Sequence, residues 1–179
     1  MVDFAPFDTP LGSCALAWTD SGIVGLQLPE ATSASTEARL LQHNAGAVRR
    51  EPPSSVRTAM TRISALLRGE RDDLRDVQID LTGVPEFHLR VYRVAREIDP
   101  GRWLTYGQVA SQLGEPGAAQ AVGQALGRNP VPLIVPCHRV VAAGGKLGGF
   151  SANGGATTKR ALLTIEGADL PDTQPTLFG

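Results

Sequence analysis

Residues 104–126 read Leu-Thr-Tyr-Gly-Gln-Val-Ala-Ser-Gln-Leu-Gly-Glu-Pro-Gly-Ala-Ala-Gln-Ala-Val-Gly-Gln-Ala-Leu. Thr105 has the side-chain oxygen that an N-cap needs, so a helix is expected from Tyr106 to Leu113. Gly114-Glu115-Pro116-Gly117 breaks it, and Ala118 to Leu126 supplies a second short helix rich in small residues. Helix, glycine-containing turn and helix form a unit that serves either DNA binding or plain packing. Upstream, Gly83-Val84-Pro85 is a break, after which Phe87 to Ile98 has amphipathic spacing and Asp99-Pro100-Gly101 stops it. A mainly helical unit is therefore expected over residues 84–167.

Downstream, residues 133–141 read Leu-Ile-Val-Pro-Cys-His-Arg-Val-Val. A thiol is a strong nucleophile only as thiolate, and a free cysteine has a pKa of about 8.5, so it needs a base or a positive field. His138 and Arg139 are the residue types that supply these, and the apolar flanks place Cys137 in a partly dry interior. The plainer alternative is a small buried hydrophobe. Adjacency to a histidine says little, because neighbours on a strand face opposite ways. Cys14, Cys137, His43, His88 and His138 have no clustered spacing, so no metal is expected. Cys14 reads as a core residue on a strand.

Residues 1–83 alternate between short strands (Phe4–Phe7, Cys14–Trp18, Ile23–Leu28) and helical spacing (Ser35–His43, Ser55–Leu67). The second helix places Val56, Met60, Ile63 and Leu67 on one face, and Val77 to Leu81 alternates like a strand. This half carries eight arginines against eleven acids, whereas residues 84–167 carry nine bases against five acids. The half with the candidate chemistry is thus the basic one, as a phosphate-binding surface requires. Two cysteines make no disulfide framework. No apolar run approaches the ~18 residues of a membrane span. A reducing, cytoplasmic setting and no membrane partner are expected. Residues 168–179 lack bases and read as a flexible tail.

Pro136-Cys137-His138-Arg139-Val140 resembles the active-site signature of the O6-alkylguanine-DNA alkyltransferases, suicide DNA-repair proteins. Leu104 to Ala110, Ala121-Val122-Gly123, Arg128-Asn129-Pro130, Gly148-Gly149-Phe150-Ser151 and Lys159 to Gly167 follow in the family's order. The match covers about residues 84–167, with a weaker one upstream. The resemblance implies an α/β amino-terminal domain over 1–83 (a small antiparallel sheet with helices, ribonuclease-H-like) in a supporting role. It implies a mainly α carboxy-terminal domain whose helix-turn-helix is winged-helix-like.

It further implies that Cys137 takes the alkyl group as a stable thioether, with His138 as base through one water and Glu166 orienting the imidazole. Asn129 would fix the segment leading to the cysteine, and Arg139 would tie the two halves together. Tyr106, Gln120, Leu126, Arg128, Val140, Phe150 and Ser151 fall at positions that contact DNA or the alkylguanine. Two depart from the family pattern. Gln120 stands where an arginine usually fills the gap left by the flipped nucleotide, and it brings no charge. Phe150 stands for a tyrosine at the pocket wall. The implied partner is duplex DNA carrying O6-alkylguanine, with no cofactor and a monomeric protein. Gln174, Leu177 and Phe178 resemble the peptide by which bacterial repair proteins dock on the replication sliding clamp. Two alternatives stand beside this reading: a lesion-binding module without transfer, and a cysteine hydrolase or redox thiol acting on a small molecule.

Overall fold

The computed structural model of the chain describes residues 1–171. The peptide at Gln174, Leu177 and Phe178 lies outside the described residues. Three strands open the chain, β1 (Asp3–Thr9), β2 (Gly12–Thr19) and β3 (Gly22–Gln27), followed by helix α1 (Ser33–His43). A two-residue strand, β4 (Val48–Arg49), precedes helix α2 (Ser54–Leu67). The sheet order is β3-β2-β1-β4. β1 and β2 pair antiparallel over their whole length, but β4 runs parallel to β1, so the sheet is mixed rather than antiparallel as expected. Pro6 is tolerated in β1 because β4 pairs only with Asp3 and Phe4, leaving no ladder bond for a missing N–H to break.

β2 is buried on both faces. Cys14, Leu16 and Trp18 join Val56, Met60 and Ile63 of α2 on one side, while Ala15 and Ala17 meet Leu40 of α1 on the other. The alternation of large and small side chains follows the period of two along a strand. The larger of these clusters continues into the second half of the chain through Val91, Val122 and Val135. Each such fully buried aliphatic side chain contributes about 1.5–3 kcal/mol.

The expected strand at Val77–Leu81 is not formed. A single parallel bridge joins Ile79 to Ile23, through Ile23 N–H to the Gln78 carbonyl (3.0 Å) and Asp80 N–H to the Ile23 carbonyl (2.8 Å). Asp80 then turns the chain, its carboxylate accepting from the hydroxyls of Thr19 and Thr82 and the Thr82 N–H. Beyond that point the β3 edge is met by the other half, where Leu26 N–H donates to the Pro130 carbonyl (2.9 Å).

Helix α3 (Glu86–Arg96) leads to strand β5 (Leu104–Thr105), helix α4 (Tyr106–Gln112) and helix α5 (Ala119–Gly127). Thr105 caps α4 as expected, in a reciprocal box with Gln108. The Tyr92 hydroxyl on α3 donates to the Ala125 carbonyl of α5 (2.7 Å), locking α3 under the helix pair. Residues 140 and 141 form β6 (Val140–Val141), parallel to β5, and helix α6 (Ala156–Ile165) closes the described fold. No pattern in the sequence announced the β5–β6 pair. It matters, because it fastens the start of the helix pair to the residues just after Cys137. No helix among the described residues is long and apolar enough to cross a membrane.

Candidate active site

Cys137 opens a 3-10 turn, Cys137–Arg139, and is 5% exposed at the floor of a pocket of about 530 Å³. Tyr106, Gln120, Leu126, Phe150 and Ser151 line that pocket, so five of the expected binding residues come together around the thiol. Arg128 lies in an adjoining cleft. Val140 is wholly buried in β6 and reaches the site through its carbonyl, which accepts from Lys159.

The chain reaches Cys137 through a constrained loop. Leu133 has φ +71°, the left-handed region a branched side chain seldom occupies. Asn129 holds it there: its amide donates to the Val135 carbonyl (2.8 Å), and its oxygen accepts from Val131 N–H (3.0 Å). Asn129→Ala would strand both backbone groups at a cost of about 1–3 kcal/mol. The thermal midpoint is expected to fall by about 2–4 °C for each kcal/mol lost, read by calorimetry. An unchanged midpoint would show that the loop holds itself.

Beneath the thiol lies a buried charge network. His138 Nε2 sits 3.0 Å from Glu166 Oε1. Arg139 donates to the same carboxylate from Nε (3.0 Å to Oε2) and Nη2 (2.6 Å to Oε1), and from Nη1 to the Ile98 carbonyl (2.7 Å), so it braces the carboxy-terminal half internally rather than tying the two halves together as expected. Gly101, at φ +82°, packs its backbone on this corner; a Cβ there would lie 2.9 Å from the Glu166 carbonyl oxygen. Burial pushes the Glu166 carboxyl up, but the hydrogen bonds and charges of His138 and Arg139 outweigh it and hold its pKa at about 2. Burial drives His138 below its ordinary value, against the pull of Glu166, so the ring is neutral near pH 7. Its other nitrogen, Nδ1, is buried and hydrogen-bonds to no described residue.

Burial likewise raises the Cys137 thiol, opposed by the Asn129 hydrogen bond and the charge of Lys159. Burial thus favours the neutral form of both Cys137 and His138. Cys14 differs in kind. It is sealed in the sheet, with its pKa pushed up to about 12 by burial, and has only a hydroxyl, Thr9, beside it.

Lys159 was not singled out from the sequence, yet it is 1% exposed and central. Its ammonium donates to the carbonyls of Val140 (2.6 Å) and Gly149 (3.3 Å) and to the Tyr106 hydroxyl (3.3 Å), and lies 5.5 Å from the centre of that ring. Burial lowers its pKa from 10.5 to about 8, with Cys137 pulling the other way. One signal was available: Leu162 and Leu163 stand three and four residues on, which puts Lys159 on the buried face of α6. Tyr106 is wedged in place. A Cβ on Gly148, at φ +70°, would come within 2.7 Å of its hydroxyl, and Gly123 of α5 lies against the ring.

Residues 86–168 match the family model described as 6-O-methylguanine DNA methyltransferase, DNA binding domain. The chain is 36% identical over 171 residues, 96% of each chain, to a methylated-DNA–protein-cysteine methyltransferase of Mycobacterium tuberculosis. A protein of that name from Methanosarcina acetivorans is 33% identical over 92% of this chain and 98% of its own. Among solved structures, the Mycobacterium tuberculosis OGT protein in complex with DNA superposes with a TM-score of 0.75 at 36% identity, covering 92% of each chain.

Proposed function

This chain belongs to the O6-methylguanine-DNA methyltransferase family, and from that premise we propose how its residues move an alkyl group from guanine O6 in DNA to Cys137. The protein is a methylated-DNA–protein-cysteine S-methyltransferase, acting once per molecule. The observation that carries the residue assignment is a single thiol at the floor of a pocket of purine-ligand size, backed by His138 and Glu166. Because Cys137 is buried, the target nucleotide has to leave the base stack to meet it, at a cost of a few kcal/mol.

Neutral His138 takes the thiol proton at Nδ1, through one water, while Nε2 and its charge are held by Glu166. The thiolate sulfur then forms a bond to the alkyl carbon as the carbon–O6 bond breaks, and the electron pair stays with the purine. Tyr106 or Ser151 returns a proton to the leaving guanine, with Lys159 beside the Tyr106 hydroxyl to resupply it. Phe150 keeps the stacking surface of the pocket wall and gives up one phenolic hydrogen bond. A thioether does not revert to thiol under these conditions, so turnover ends there. The retained Cys137 and the transferase relatives disfavour a lesion-binding module without transfer, and likewise a small-molecule cysteine hydrolase.

The family model's start at residue 86 supports a division near Gly83. The helix-flanked mixed sheet supports the ribonuclease-H-like description, and the β5–β6 pair beside α4 and α5 supports the winged-helix-like one. A monomer in a reducing cytoplasm, with a clamp-docking tail, rests on sequence alone.

The direct test is intact mass after incubation with a duplex bearing one O6-methylguanine, and separately with free O6-benzylguanine. A gain of one alkyl group per chain from both is expected. Gain from the free base alone would assign the defect to nucleotide extrusion and to Gln120; gain from neither would overturn the reading.

The alkylation rate also has an expected pH signature. Lys159 loses its proton as pH rises through about 8, removing the positive charge beside the thiolate and one of the three N–H donors that serve Val140, Gly149 and Tyr106. The rate with O6-benzylguanine is expected to fall above that pH. Lys159→Gln is expected to be about tenfold slower at pH 7, equivalent to ~1.4 kcal/mol, and to lack this alkaline limb. A variant that keeps the limb would assign the titration elsewhere.

A further inference from the structure

Beside the reactive pocket lies a second cleft, of about 310 Å³, which shares Gly127, Phe150 and Ser151 with the first. Its far wall comes from the amino-terminal half, from β3 and from α1, which presents Arg39 and His43. Arg128, the C-cap of α5, faces the same space from the other side. No aspartate or glutamate lines the cleft among the described residues.

Arg39 also differs from its neighbours in the chain. Arg49, Arg50, Arg62, Arg68 and Arg75 are each paired with a carboxylate. Neither Arg39 nor Arg128 makes a side-chain hydrogen bond or ion pair with any described residue. Two unneutralised guanidinium groups in an acid-free cleft are a site for an anion with more than one charge.

We propose that this cleft carries the sugar–phosphate backbone of the lesion-bearing strand, with Arg39 and Arg128 on successive phosphates and His43 beside them, its Nδ1–H donating to the Arg39 carbonyl (3.3 Å). The inference rests on the transferase reading above. A base lodged against Cys137 leaves its phosphates at the pocket mouth, and the strand then has to continue past Phe150 and Ser151. The cleft begins at those residues. Phosphate contacts position a duplex without reading its sequence, as a repair protein acting in any context requires. The amino-terminal half is then part of the DNA-binding surface, although its overall charge is acidic.

The test is equilibrium binding of a duplex carrying one O6-methylguanine across a salt series, for wild type, Arg39→Ala, Arg39→Lys and the double variant Arg39→Ala/His43→Ala. Arg39 is exposed on α1, so its removal leaves the core intact. Arg39→Ala is expected to weaken duplex binding about 3–10-fold at low salt and to flatten the slope of log K against log salt by about 0.9, one phosphate's share. Arg39→Lys is expected to restore the slope, and the rate with free O6-benzylguanine to stay unchanged in all variants. A wild-type slope in Arg39→Ala overturns the inference while leaving the transferase reading untouched. A wild type that accepts no alkyl group from either substrate overturns that reading, and the salt slopes still decide this one.

Discussion

Cys137→Ser is expected to fold, to bind a lesion-bearing duplex and to accept no alkyl group. The substitution exchanges one small buried side chain for another, so the pocket and the network beneath it persist. Chemistry does not persist, because a neutral imidazole can draw the proton from a thiol but generates too little alkoxide from a serine hydroxyl to displace an alkyl ether carbon. The rate is expected to drop on the order of 10⁶-fold, the scale seen when an activated nucleophile is removed. Cys14→Ser, by contrast, should react at the wild-type rate, since burial holds that thiol protonated up to about pH 12. Intact mass separates the two variants within one experiment. Alkylation of Cys137→Ser, or its loss in Cys14→Ser, would assign the acceptor to another residue.

Glu166→Gln is expected to lose stability and reactivity together. Gln keeps the size of the side chain but leaves the Arg139 guanidinium, fully buried, without its counter-charge. Breaking a buried pair from one side costs about 3–5 kcal/mol. In a chain of this length that lowers the thermal midpoint by about 2–4 °C for each kcal/mol. Reactivity should fall roughly 10²–10⁴-fold, because the imidazolium formed during attack loses the carboxylate that stabilises it.

The pH dependence of stability gives a readout that mere loosening of the fold would not mimic. The Glu166 carboxyl has a folded pKa of about 2 against an ordinary 4.5, so its contribution is complete above pH 4.5 and is lost as pH falls toward 2. His138 is held below its ordinary 6.5, so the unfolded chain takes up that proton first and stability also declines as pH falls below 6.5. Both act in the same direction on acidification. Asp72, Asp76 and Asp80 are also held below their ordinary value by hydrogen bonds, so in Glu166→Gln the lower window is expected to shrink while the histidine window remains, read as the midpoint across pH 7 to 3. A lower window of wild-type size in the variant would assign it to those carboxylates.

Local signals predicted the local structure well. The Thr105 cap, the Gly114–Gly117 break and the aliphatic face of α2 all depend on neighbours within about one helical turn, and each formed where its residues indicated. The Pro-Cys-His-Arg run pointed to Cys137 through its resemblance to a family signature, since adjacency to a histidine left a small buried hydrophobe equally open. Long-range partners were less legible. The alternation at Val77–Leu81 marked a strand, but strand formation depends on an available edge, and β3 gave up part of its edge to Pro130. The parallel β4 and the β5–β6 pair are two residues each, too short to leave a periodic trace.

Chain order and residue type were thus enough for the helix pair and the three leading strands, and the resemblance to a family signature singled out the candidate thiol. The protonation states around that thiol came from packing. His138 is neutral, Glu166 ionised and Lys159 poised near pH 8 because segments from residues 98–106, 137–140 and 159–166 exclude water from one another. Desolvation and charge pairing act through space, over separations of tens of residues, and a linear pattern of hydrophobic and polar residues does not encode them.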